Sequence, residues 1–278
     1  MTRQVQTDRR GEGPAGRRRR KTGQVSGLRA SWRLARAFLH LLHGLFIVVV
    51  RFPRLNEEGR ALRVQIWARA LLRHLGLRVE VRGDVVAPGP LLLASNHISW
   101  LDIMSLHAAR YCRFVAKADI QDWPLVGRLV TGAGTLYIQR ESRRDAMRVV
   151  HHIADRLRAG EVLAVFPEGT TSDGQDLLPF HANLLQAAIS ADSPVQPVAL
   201  DFLDGQGERS LAPCYIGDDS LLDTAWRTAR SKGLVVRVTF GMPQTAQGRD
   251  RRAWADALRD DVIRLRDRPA PDGEQGVR

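Results

Sequence analysis

Four consecutive apolar residues, Leu91-Leu92-Leu93-Ala94, run directly into the polar stretch Ser95-Asn96-His97-Ile98-Ser99-Trp100-Leu101-Asp102. An apolar run of this length reads as a buried strand. Residues 77–81 alternate apolar and charged side chains, which predicts a half-exposed strand. Further strands are predicted at 90–94, 113–116, 135–139, 161–166, 195–202 and 234–240. Helices are predicted at 101–110, 123–131, 142–158, 182–190 and 251–266. Ser142 is placed to cap the third of these and Gly160 to end it. Strands alternating with helices predict an α/β fold, a mixed sheet layered with helices, with no internal repeat.

Charge is concentrated at one end. Residues 1–27 carry eight Arg or Lys against Asp8 and Glu12, a net +6 that is half of the chain's +12. Rich in Gly and Arg and poor in large apolar side chains, this head is expected to be disordered. Its charge suits nucleic acid or an anionic membrane face. The neighbouring residues favour the membrane, and no recognition helix or aromatic stacking pattern supports nucleic acid. Residues 37–50 hold no formal charge between Arg36 and Arg51. That run is shorter than the roughly 20 residues of a simple span, and it lacks the position and cleavage site of a signal peptide.

A second helix is predicted from 56 or 57 to 74. Leu62, Ile66, Trp67, Leu72 and Leu75 give it an apolar side, and Arg60, Arg63, Arg69 and Arg73 supply cations. Interfacial helices and ordinary surface helices share that composition. Residues 28–75 are therefore expected to form a two-helix membrane element between a disordered tail at 1–27 and a globular domain at 76–268, with a second disordered tail at 269–278. The basic head suits the anionic cytoplasmic leaflet, where each Lys or Arg contributes roughly 1 kcal/mol. The inner membrane, with the domain on its cytoplasmic side, is the expected location. Cys112 and Cys214 show no metal-like spacing and are expected in or near the core.

Several chemistries lack their motifs. There is no G-x-S-x-G elbow, P-loop, G-x-G-x-x-G after a strand, or H-E-x-x-H. Open α/β sheets place ligands at the carboxyl ends of strands, and the polar clusters of this chain follow strands. His97 and Asp102 follow the first buried strand, Arg140 follows 135–139, and Glu168-Gly169 follow 161–166. His97 is placed to take a hydroxyl proton, with Asp102 fixing its ring. Arg140 is suited to holding a phosphate, and Gly169 lets backbone approach a ligand. Each also has a plain structural reading; an Asp here is often only a charge at a helix N-terminus. A metal at His97 and Asp102 lacks a third ligand nearby, so none is expected.

Four ordered blocks carry a resemblance. They are Asn96-His97-x-x-x-x-Asp102, Gly134…Ile138-x-Arg140, Phe166-Pro167-Glu168-Gly169-Thr170 and Val195-Gln196-Pro197-Val198. Over roughly residues 75–245 the chain resembles the glycerolipid acyltransferases, specifically the 1-acyl-glycerol-3-phosphate (lysophosphatidate) acyltransferases. Lys117-Ala118-Asp119-Ile120 with Pro124 and Gly127 resembles the family's intervening segment. The resemblance implies transfer of an acyl chain from acyl carrier protein or coenzyme A to a lysophospholipid hydroxyl, without an acyl-enzyme or bound cofactor. It makes His97 the base and Asp102 its orienter. It assigns Asn96, Lys117, Arg140, Glu168, Gly169 and Thr170 to substrate binding, although a negatively charged Glu168 does not itself bind phosphate favourably and is better suited to ordering the loop or a neighbouring cation. The helices at 28–75 would correspond to the membrane-seated N-terminal helices of bacterial members.

One departure concerns the acceptor. The family block commonly continues Phe-Pro-Glu-Gly-Thr-Arg, and Thr171 stands here in place of the Arg. A hydroxyl does not replace a guanidinium as an anion partner. Either Arg140 and Lys117 carry the phosphate, or the acceptor is one such as lyso-ornithine lipid. A non-catalytic lipid-binding or nucleic-acid-binding protein and a hydrolase are the rival readings.

Overall fold

A computed structural model describes residues 23–86, 89–138 and 143–267. The chain enters through α1 (Gly27–Phe46), whose N-terminus is capped by the Ser26 side chain. Helical backbone continues through a π-helical turn at Ile47–Arg51 and a 3-10 turn at Phe52–Arg54. Helix α2 (Glu57–Leu75) follows. Asn56 caps its first turn, and Gly76 ends it at a φ of 93° that suits glycine.

From there strands and helices alternate. They are β1 (Leu77–Arg82), β2 (Leu91–Ser95), α3 (Leu101–Ala109), β3 (Arg113–Lys117), α4 (Val126–Gly132), β4 (Leu136–Ile138), α5 (Arg143–Arg158) and β5 (Val162–Val165). Then come α6 (Leu185–Ser190), β6 (Val195–Leu203), α7 (Leu221–Arg230), β7 (Leu234–Phe240) and α8 (Arg251–Asp267). The predicted strands and helices are all present among the described residues, with shifted ends. Residue 139 and the capping Ser142 lie outside them.

The seven strands form one sheet in the order β1-β7-β6-β2-β5-β3-β4. Only β6 and β7 pair antiparallel. Strands β2 to β6 therefore end on one rim, and β1 and β7 end on the other. The chain leaves β2 across β5 to reach β3, and leaves β5 across β2 to reach β6. Connections diverge at the carboxyl ends of β2 and β5, the kind of place where such sheets bind ligands.

Layering follows from the apolar runs. Leu91 and Leu93 of β2 join a core with α2, α3, β1 and β7. Leu92 and Ala94 point into a second core with α5, α6 and α8. The period of two in a strand buried on both faces produces this split.

The N-terminal helices share packing with the sheet. Leu71, Leu72 and Leu75 of α2 are buried in the first core, so packing runs unbroken across the expected boundary at 75/76. Leu62 and Ile66 face outward, so the apolar residues predicted as one side divide between two faces. Trp67 is not a free interfacial anchor. Its Nε1 donates to the His40 carbonyl at 3.0 Å, and the two rings stack at 5.1 Å. Gly44 makes room, since a Cβ there would lie 2.5 Å from Trp67 Nε1.

Helix α1 also holds α7. Arg33 Nη1 donates to the carbonyls of Ala229 and Ser231 at 2.8 Å each. Its other side is an open apolar ridge of Trp32, Leu39, Leu42, Phe46 and Val49, spaced by one or two helical turns. The helical segment Gly27–Arg54 is long and apolar enough to cross a membrane and is little buried. Helix α7 was not anticipated. Its Ser220 accepts from Asp223 N at 3.1 Å, a local cap that sequence periodicity did not reveal.

Candidate active site

Strand β2 ends at Ser95, and the next turn is built around one carboxylate. Asp102 lies in the first turn of α3 and is fully buried. Its Oδ2 accepts from Ile98 N at 2.6 Å, from Ser99 N at 2.8 Å and from His97 Nδ1 at 2.8 Å. From the first turn of α3, Asp102 gathers the preceding turn and orients an imidazole. With Nδ1–H donated to the carboxylate, Nε2 is the ring nitrogen with a lone pair for a proton.

The ring is held from its face as well. Phe166, the residue after β5, stacks on it with centroids 4.0 Å apart and planes 8° apart. Phe114 stacks in turn on Phe166 at 5.7 Å. The His97 side chain remains 19% exposed, so it is reachable while fixed.

Backbone contacts fix the main chain of His97 on both sides. Glu168 Oε1 accepts from His97 N at 2.7 Å, and its Oε2 accepts from Leu178 N at 2.9 Å. Ser172 N donates to the His97 carbonyl at 2.9 Å. Burial pushes the Glu168 carboxyl above its ordinary range, against the two backbone donors that favour the charged form. At 3% exposure with both oxygens engaged, Glu168 holds the loop around His97.

Asn96 is engaged in the same way. Its Nδ2 donates to Leu200 O at 3.0 Å and its Oδ1 accepts from Leu200 N at 2.7 Å, tying β2 to β6. It is buried and anchors the strand end.

Gly169 has a φ of 75°, and a Cβ there would lie 2.9 Å from His181 Cδ2, so a side chain would strain the turn and crowd that ring. Thr170 is exposed beside it. Thr171 turns its hydroxyl to the Tyr215 carbonyl. Lys117 closes β3 in register with Ile138 of β4. Arg140 lies outside the described residues.

Sequence reasoning missed Phe166 as a ring partner, although it opens the Phe-Pro-Glu-Gly-Thr block. It also missed Tyr215, whose N–H donates to Ile98 O at 3.1 Å and which no local pattern marks. Among the described residues no group of three or more His, Cys, Asp or Glu could hold a metal ion.

Comparison with known proteins bears on this arrangement. Residues 78–201 match the Acyltransferase family. The chain is 37% identical over 207 residues to the 1-acyl-sn-glycerol-3-phosphate acyltransferase of Neisseria meningitidis serogroup B, covering 74% of this chain and 81% of that protein. It is 38% identical over 185 residues to the lyso-ornithine lipid O-acyltransferase of Pseudomonas aeruginosa, covering 66% and 70%. The crystal structure of the 1-acyl-sn-glycerophosphate acyltransferase of Thermotoga maritima superposes with a TM-score of 0.61, over 86% of this chain and all of that one. At 19% identity that likeness speaks to the fold alone.

Proposed function

The chain belongs to the Acyltransferase family, with relatives that acylate lysolipids, and from that premise we propose that His97 drives direct acyl transfer to 1-acyl-glycerol-3-phosphate. The observation that carries this is the 2.8 Å pair between His97 Nδ1 and Asp102 Oδ2, with two backbone N–H groups on the same oxygen.

The chemistry follows from that geometry. His97 Nε2 takes the acceptor hydroxyl proton as the oxygen bonds to the thioester carbonyl carbon. The carbon–sulfur bond then breaks, and the thiolate leaves with the proton returned from the imidazolium. Asp102 stabilises the imidazolium between the two transfers. The donor is an acyl thioester of acyl carrier protein or coenzyme A. No protein nucleophile is required, and no bound cofactor enters the scheme. Arg140 and Lys117, with Gly169 and Thr170, are proposed to hold the acceptor phosphate.

The acceptor reaches the site from a membrane. The apolar ridge on α1 and the membrane-lipid relatives make the protein membrane-associated. We place it on the cytoplasmic face of the inner membrane, on the strength of the cationic residues 1–27.

Thr171 supports a second acceptor, lyso-ornithine lipid. Its hydroxyl is committed to Tyr215, and no guanidinium stands at that position for a phosphate. The test is release of free thiol from acyl-coenzyme A or acyl carrier protein with each acceptor. Release only with lysophosphatidate supports the first reading, and release only with lyso-ornithine lipid supports the second. Release without any acceptor would mean a hydrolase, and none with either donor would mean a lipid-binding protein.

A further inference from the structure

Helix α8 lies beyond the residues that match the family, yet it grips the loop that holds His97. Arg259 Nε donates to the carbonyls of Leu177 and Leu178 at 3.2 and 3.1 Å, and its Nη2 also reaches Leu177 O. Two turns on, the buried Arg266 donates from Nε to Asp201 Oδ1 at 3.0 Å and from Nη2 to the Gly174 carbonyl.

Both grips lead to the catalytic turn. The Leu177 carbonyl and the Leu178 N–H belong to one trans peptide unit, so they point in opposite directions from one rigid plane. Arg259 holds the carbonyl side. Glu168 Oε2 accepts the N–H side at 2.9 Å, and its Oε1 accepts His97 N at 2.7 Å. At the other grip, Gly174 packs so closely on Ile98 that a Cβ would lie 2.9 Å from Ile98 Cδ1. Ile98 N in turn is a ligand of the Asp102 carboxylate. Such chains of hydrogen bonds reinforce one another, and small displacements of a base are costly.

We infer that Arg259 and Arg266 are positioning residues of α8, which set the backbone of His97 through the peptide 177–178 and through Gly174. The inference rests on His97 acting as the base. Arg266 is buried and shares the Asp201 carboxylate with Arg209, so removing it would disturb the fold, and Arg259, with a side chain 31% exposed, carries the test.

The experiment measures steady-state transfer and thermal unfolding for wild type, Arg259→Ala, Arg259→Lys, Glu168→Gln, the Arg259→Ala/Glu168→Gln double variant and His97→Ala. Arg259→Ala is expected to lower kcat by about tenfold with both KM values within about twofold, because misplacement acts on the chemical step. Arg259→Lys should recover part of it, since an ammonium still reaches one carbonyl. The double variant should lose no more than Glu168→Gln alone. Losses that multiply, an unchanged kcat, or a lowered Tm with full kcat per folded molecule would overturn the inference. If His97→Ala retains transfer, the base assignment itself falls. If transfer needs His97 but ignores Arg259, only the positioning role fails.

Discussion

Glu168 and His97 meet through the main chain: the Glu168 Oε1 accepts the His97 backbone N–H at 2.7 Å, while Oε2 accepts Leu178 N at 2.9 Å. The carboxylate joins two loops and leaves the imidazole to Asp102. A residue that by motif alone belongs to the substrate site is, by geometry, part of the frame around His97.

Substituting Glu168 therefore tests the frame. In Glu168→Gln one of the two backbone donors faces an amide N–H₂ and loses its acceptor. The expected cost is about 1–3 kcal/mol in denaturant unfolding, with kcat reduced more than either KM. Because burial raises the folded-state pKa of this carboxyl, its unfavourable ionisation removes stability as pH rises from the unfolded value near ~4.3 through the folded one. Unfolding free energy of wild type minus Glu168→Gln should therefore fall over that acidic window.

Asp102→Asn keeps the size of the side chain while removing its charge. An amide oxygen can still accept from His97 and the two N–H groups, but it cannot stabilise the imidazolium. The expected loss is about 10²–10⁴ in kcat, with thioester KM unchanged, measured by thiol release.

His107 provides a pH effect away from the site. Burial lowers its pKa to about 4, and its ring packs at 5.1 Å against Phe114. The unfolded chain binds a proton that the folded chain resists, so stability present above about 6.5 is lost as pH falls towards 4. His107→Phe should flatten the difference in stability between pH 7 and 5, measured by urea unfolding.

How much of this was legible depended on the kind of interaction. Buried strands were readable because Leu91, Leu92, Leu93 and Ala94 serve two cores at once and so must all be apolar. The His97–Asp102 pair was readable because four intervening residues bridge a strand end and the first helical turn. The partners of Glu168 and Asn96 were not readable, because they are backbone groups of Leu178 and Leu200, which no side-chain pattern encodes. Helix α2 looked like one apolar face because Leu62 and Leu72 are equally apolar, yet only tertiary packing buries Leu72.

The membrane ridge has its own test. Changing Leu39 and Phe46, at 62% and 55% exposure, to Gln should weaken binding to vesicles of anionic phospholipid by about tenfold or more per site, since each side chain buries about 1.5 kcal/mol or more of apolar transfer energy. Co-sedimentation measures it, with turnover on detergent-dispersed acceptor unchanged. Unaltered vesicle binding would remove α1 from the membrane contact.

The central claim is that His97 is the base for direct transfer to a lysolipid. Free-thiol release from an acyl thioester, with and without lysophosphatidate or lyso-ornithine lipid, compares wild type with His97→Ala most directly. The expected result is acceptor-dependent release by wild type and a loss of at least about 10²-fold in the folded, membrane-bound variant. Undiminished acceptor-dependent release by His97→Ala would contradict it.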